Sequence, residues 1–64
     1  MAKVLDSFKV GKQFVLVLDS IQKDFTRIEI DGILYDVTIA YDIPNAISID
    51  SDNDFIGKTV KFYG

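Results

Sequence analysis

Sixty-four residues allow one domain, close to the lower size at which a chain folds without disulfides or metal. Cysteine, histidine and tryptophan are absent, which removes thiol and imidazole nucleophiles, the usual general base, Cys/His zinc sites, His or Cys haem ligation and any disulfide framework. Ten acidic against seven basic residues give a net charge of −3, the wrong sign for a protein that gains affinity by neutralising phosphates, so direct nucleic-acid binding is disfavoured.

The hydrophobic fraction of 48% is spread along the whole chain and predicts a folded domain rather than a disordered tail. No apolar run reaches the roughly 18 residues of a membrane span, and Met1 to Asp6 lacks the apolar stretch of a signal peptide, so a cytoplasmic protein with no membrane association is expected. The residues Val, Ile and Thr number 18, against 10 for the helix formers Ala, Glu, Gln and Leu. That is a β-protein composition. Nine of the ten acidic residues are Asp, which closes turns through side-chain to backbone bonds, whereas Glu favours helices.

In chain order, Val4 to Val10 and Gln13 to Leu18 flank Gly11-Lys12 and predict a first hairpin, with Gly11 supplying the positive φ of a type II′ or looser turn. Phe14-Val15-Leu16-Val17-Leu18 is apolar on both faces. Placing Phe8, Val10, Val15 and Val17 inward puts Leu5, Phe14, Leu16 and Leu18 on the opposite face, joined by Leu34 from the next hairpin. Phe14, Leu16, Leu18 and Leu34 are therefore the candidate interface residues, since contiguous apolar patches mark contact surfaces. The competing expectation is that this face is covered, by a sharp bend of the strand or by residues 20 to 25 folding over it. Ser20 to Phe25 is long enough for one helical turn and too short for an isolated helix.

Thr26 to Ile30 and Ile33 to Ile39 alternate around Asp31-Gly32, the signature of a two-residue type I′ hairpin. That turn pairs Ile30 with Ile33, Ile28 with Tyr35 and Arg27 with Asp36, and gives an inward face of Ile28, Ile30, Ile33, Tyr35, Val37 and Ile39. Asp42-Ile43-Pro44-Asn45 is a turn, Ala46 to Asp50 a short strand burying Ile47 and Ile49, and Gly57 to Tyr63 a last strand burying Val60 and Phe62. Six short strands, each with one apolar face, predict a single all-β domain over residues 1–64. The expected fold is a small, nearly closed six-stranded antiparallel barrel, filled by side chains and without a ligand cavity.

Candidate chemistry is sparse. Asp50-Ser51-Asp52-Asn53-Asp54 starts like a calcium loop, but its sixth position is Phe55 rather than Gly and its twelfth is Lys61 rather than Glu, so a solvated turn is expected and no metal or cofactor. The four serines have no His partner. Gly11-Lys12 and Gly57-Lys58 lack the spacing and the following helix of a phosphate loop. Tyr35, Tyr41, Tyr63 and Phe14 could stack bases, yet no basic cluster accompanies them. The enzyme reading is set aside on these grounds.

The order of Asp6-Ser7-Phe8, the turn at Gly11, Val15 to Leu18, Arg27-Ile28-Glu29-Ile30-Asp31-Gly32 and the strand opened by Gly57-Lys58 resembles the β-barrel second domain of translation elongation factors of the Tu type. The family's Gly-Arg-Gly turn is reduced here to Gly11, and Asp24-Phe25-Thr26 stands where Gly-Asp usually precedes the strand. The resemblance implies a six-stranded barrel and a binding role near translation-type machinery, and carries over no aminoacyl-tRNA contact. SH3-like barrels satisfy the same pattern. The functional expectation is a non-catalytic module that binds a protein partner, or a second copy of itself, through a strand edge or apolar face. The alternatives are an RNA- or ribonucleoprotein-associated barrel and a structural protein of a phage or mobile element.

Overall fold

A computed structural model describes residues 1–22, 24–39 and 43–64, with Ile39 described in its backbone only. Six antiparallel strands form one sheet: β1 (Ala2–Val10), β2 (Gln13–Leu18), β3 (Arg27–Ile30), β4 (Ile33–Ile39), β5 (Ala46–Ile49) and β6 (Thr59–Tyr63). Their spatial order, β1-β2-β5-β4-β3-β6, returns to its start because β6 also pairs with β1, so the sheet is a closed ring. No helix occurs among the described residues; those described between Ser20 and Phe25 are irregular, with Asp24 at a φ of 58°. Lys23 within it, and Tyr41 and Asp42, lie outside the described residues.

Both predicted hairpins form. Asp31 and Gly32 take φ of 53° and 83°, the two positive values a type I′ turn requires, and the register pairs Ile30 with Ile33, Ile28 with Tyr35 and Arg27 with Asp36. In the first hairpin Gly11 has a φ of 62° while Lys12 stays negative, as a type II′ turn demands, and Val10 pairs with Gln13.

The interior is filled by Val4, Leu16, Leu18, Ile28, Ile30, Ile47, Ile49 and Val60, each essentially without exposed surface. Phe55, at a φ of 56°, turns into this core from the segment before β6, and its ring meets Tyr35 edge-on at 5.5 Å. Ile21 and Phe25 also pack against the core, Phe25 edge-on to Phe62 at 4.8 Å. Two side chains of the linker between β2 and β3, Ile21 and Phe25, thus cover part of the core.

Two assignments of facing are reversed relative to the alternation of the sequence. In β2 it is Leu16 and Leu18 that point inward, with Phe14 half-buried against the core, and Val17 that points out. Leu buries more apolar area than Val, so the leucine face wins the interior. In β1, Ala2 and Val4 are buried, but the register with β2 slips between Val4 and Asp6. This bulge reverses the alternation. Ser7 then comes opposite Leu16 on the inner face, while Phe8 and Val10, expected inside, stand outside opposite Val15 and Gln13. Ile33 is also exposed (57%) rather than buried, because β5 pairs with β4 only from Val37 onward and no strand among the described residues pairs with the start of β4 on that side.

Candidate functional site

The proposed interface of Phe14, Leu16, Leu18 and Leu34 does not exist as one surface. Leu16 and Leu18 are core residues, Phe14 is partly covered, and Leu34 alone is exposed, at 50%, on the outer face of β4. The apolar surplus expected in β1 and β2 is present in amount and inverted in side: one face fills the ring, and the other remains.

That remaining face is built by β1. Beyond the bulge its outer side chains are Asp6, Phe8 and Val10, with Leu5 at the bulge itself. Leu5, Phe8 and Val10 are exposed at 58, 40 and 55%. Beside them on β2, Val17 is half-buried and Val15 is buried, lying in register between Phe8 and Ser48. The Ser48 hydroxyl donates to Gln13 Oε1 at 2.7 Å across the β2/β5 pair. The result is an apolar strip along β1 with a polar border. The signal that could have found it is the bulge, and bulges leave no trace in simple alternation.

The main chain of β1 is open on the side away from β2. β6 pairs with it only at Ala2 and Lys3; the Val4 N–H donates to the Lys58 carbonyl at 3.0 Å, and the Gly57 N–H donates to the Val4 carbonyl at 2.9 Å. From Leu5 to Val10 no strand among the described residues lies on that side. The Ser7 N–H donates instead to the Asp6 carboxylate at 2.9 Å, and Ser7 Oγ is buried without a hydrogen-bond partner.

Away from β1, Ile33 and Leu34 are exposed side by side at the start of β4 and Ile56 stands exposed before β6, while the remaining candidate sites are polar. An open groove of about 330 Å³ is lined by Glu29, Asp31, Gly32, Gly57, Lys58, Thr59 and Lys61, and Lys58 Nζ lies 3.2 Å from Asp31 Oδ2. Its two carboxylates and two ammonium groups balance, so it presents no field of one sign to an ion. Nearby, the Tyr63 hydroxyl donates to Glu29 Oε1 at 2.9 Å, and this bond, with lesser help from desolvation and the carboxylate charge, raises the Tyr63 pKa above its ordinary value. In the Asp50 to Asp54 stretch, side chains cap the turn: Ser51 Oγ accepts from the Asn53 N–H at 3.1 Å and Asp54 Oδ1 from the Ile56 N–H at 3.2 Å. Among the described residues no three His, Cys, Asp or Glu side chains converge. Tyr35 packs edge-on against Phe55 and Tyr63 is held through its hydroxyl by Glu29; Tyr41 lies outside the described residues. The chain matches no protein-family model, no curated protein and no solved structure.

Proposed function

We propose that the protein is a non-catalytic interaction module whose binding surface is the outer side of β1. One observation carries this reading: Leu5, Phe8 and Val10, three exposed large hydrophobic side chains, share the longest stretch of strand with a single neighbour among the described residues, Leu5 to Val10 against the shorter Ile33 to Asp36 of β4. Exposed apolar area gathered on one element, rather than scattered singly, is the usual mark of a contact surface. Aromatic anchors of the Phe8 kind dominate such interfaces energetically.

The test is a peptide-display selection against the wild-type protein, followed by binding of the enriched ligands to a Phe8→Ser variant. Phe8 is outside the core, so the variant keeps a cooperative melt. Loss of an anchor weakens the ligands by about tenfold or more. Ligands that bind the variant as well as wild type, or a selection that enriches nothing, overturn the assignment.

A further inference from the structure

Resting on the reading of β1 as the binding surface, we infer that the partner binds as an added β-strand. It is an extended segment of another protein, laid antiparallel along Leu5–Val10, apolar beside Phe8 and Val10 and acidic opposite Lys9.

The hydrogen-bond ladder identifies which groups would receive it. A two-residue turn makes Val10 and Gln13 its hydrogen-bonded closing pair, and antiparallel ladders alternate. Phe8 with Val15 is therefore bonded across to β2, whereas Lys9 with Phe14 and Ser7 with Leu16 are not, and the N–H and C=O of Ser7 and Lys9 point away from β2. The Ser7 N–H bond to the Asp6 carboxylate agrees with this assignment, because that N–H is turned outward to its own neighbour. An outward row of main-chain donors and acceptors is complementary to one thing above all, another extended backbone.

The side chains then select the strand. Directly opposed residues share a face, so a strand beside β1 meets Phe8 and Val10 with alternate side chains on the outer face and Ser7 and Lys9 with the others on the inner. Lys9 is exposed and has no ion pair among the described residues, so an acidic residue fits opposite it. Asp6, on the outer face, takes a basic one.

A second copy of this chain does not meet these demands. Two copies of β1 joined in one sheet about a two-fold axis keep outer face against outer face, so Asp6 never opposes Lys9 of the other copy. Centred on Phe8, the pairing sets Asp6 against Val10 and Ser7 against Lys9; centred on Ser7, it sets Asp6 against Phe8 and Leu5 against Lys9; centred on Lys9, it opposes two lysines. Every register leaves charges unmatched, which is how edge lysines discourage self-pairing.

The experiment uses a synthetic peptide with the central sequence Val-Glu-Val-Thr-Lys, which places Glu opposite Lys9 in the antiparallel register. The readout is amide hydrogen exchange resolved by residue. Exchange of the Ser7 and Lys9 amides slows by about tenfold or more, while Phe8 and Val10, already bonded to β2, change little. Methylating the peptide's Glu and Thr nitrogens abolishes the protection. A peptide with only its Glu changed, Val-Lys-Val-Thr-Lys, sets Lys against Lys9, binds weakly to wild type and recovers on Lys9→Glu. No protection with any of these peptides overturns strand addition. Binding that survives N-methylation also overturns it and leaves the apolar surface standing. Protection by the peptide that is indifferent to Phe8→Ser overturns the apolar surface and leaves strand addition standing. Protected Ser7 and Lys9 amides without peptide, together with a doubled sedimentation mass, overturn the foreign partner in favour of a second copy.

Discussion

Replacing Leu16 with Ala tests which face of β2 is the inside. Leu16 has no exposed surface and lies in register between Ser7 of β1 and Ile47 of β5. The change deletes three carbons, about 2.4 kcal/mol of transfer free energy at ~0.8 per carbon. The cavity that remains brings the loss to about 3–4 kcal/mol. A domain of this size holds on the order of 3–10 kcal/mol in total, so the variant should sit near the edge of folding. In a urea titration followed by circular dichroism, the midpoint falls steeply at unchanged slope. In a thermal melt the midpoint drops by on the order of 15–25 °C. Val17→Ala, on the outer face of the same strand, loses about 1 kcal/mol or less and serves as the internal control. Leu16→Lys forces an unpaired ammonium into the core and unfolds the chain. A loss below ~1 kcal/mol for Leu16→Ala, or a folded Leu16→Lys protein, would refute the placement of the core.

The Asp31-Gly32 turn gives a second expectation. A Cβ built at Gly32 would meet nothing within 4 Å, so Gly32→Val is penalised by backbone strain at a φ of 83° alone, about 1–2 kcal/mol in a denaturant titration; an unchanged midpoint excludes the type I′ turn. For Tyr63, whose folded pKa is raised, the contribution to stability is fully present below the ordinary tyrosine pKa and is lost as pH rises through the folded value. Ultraviolet titration should therefore show Tyr63 ionising at higher pH than free tyrosine, and Glu29→Gln should bring it back down; a titration blind to that substitution removes Glu29 as the cause.

Much of the fold was legible because turn chemistry and alternation agreed. Asp31-Gly32 dictated both the turn and a register that holds at every pair from Ile30/Ile33 to Arg27/Asp36. Gly11 marked the turn of the first hairpin and left its register open. The misreadings share a cause. Alternation assigns faces only relative to one another, and in β2 both faces are apolar, so choosing the inner one needs knowledge of what lies opposite. The bulge after Val4 then broke the parity of β1 midway and carried Phe8 and Val10 to the surface. Phe55 and Asp24 were hidden for a different reason. Each is a residue other than glycine at positive φ, imposed by the path of the surrounding chain rather than by its own preference. The candidate surface was legible as a quantity of apolar side chain and illegible as a place.

The ring is sealed where the first strand meets the last, through two register pairs and the two bonds at Val4. Since nearly the whole chain lies between Lys3 and Thr59, this seam bears the largest loop-closure entropy in the molecule. It should form late in folding and part first under stress, leaving the other strands as an unrolled sheet ordered β1-β2-β5-β4-β3-β6. Unrolling would lay Ala2, Val4 and Val60 open along two fresh edges. The rate at which the protein clumps on storage would then follow the breathing of that seam, not the melting of the hairpins, and a bridge tying Lys3 to Thr59 would lengthen shelf life more than it raises Tm.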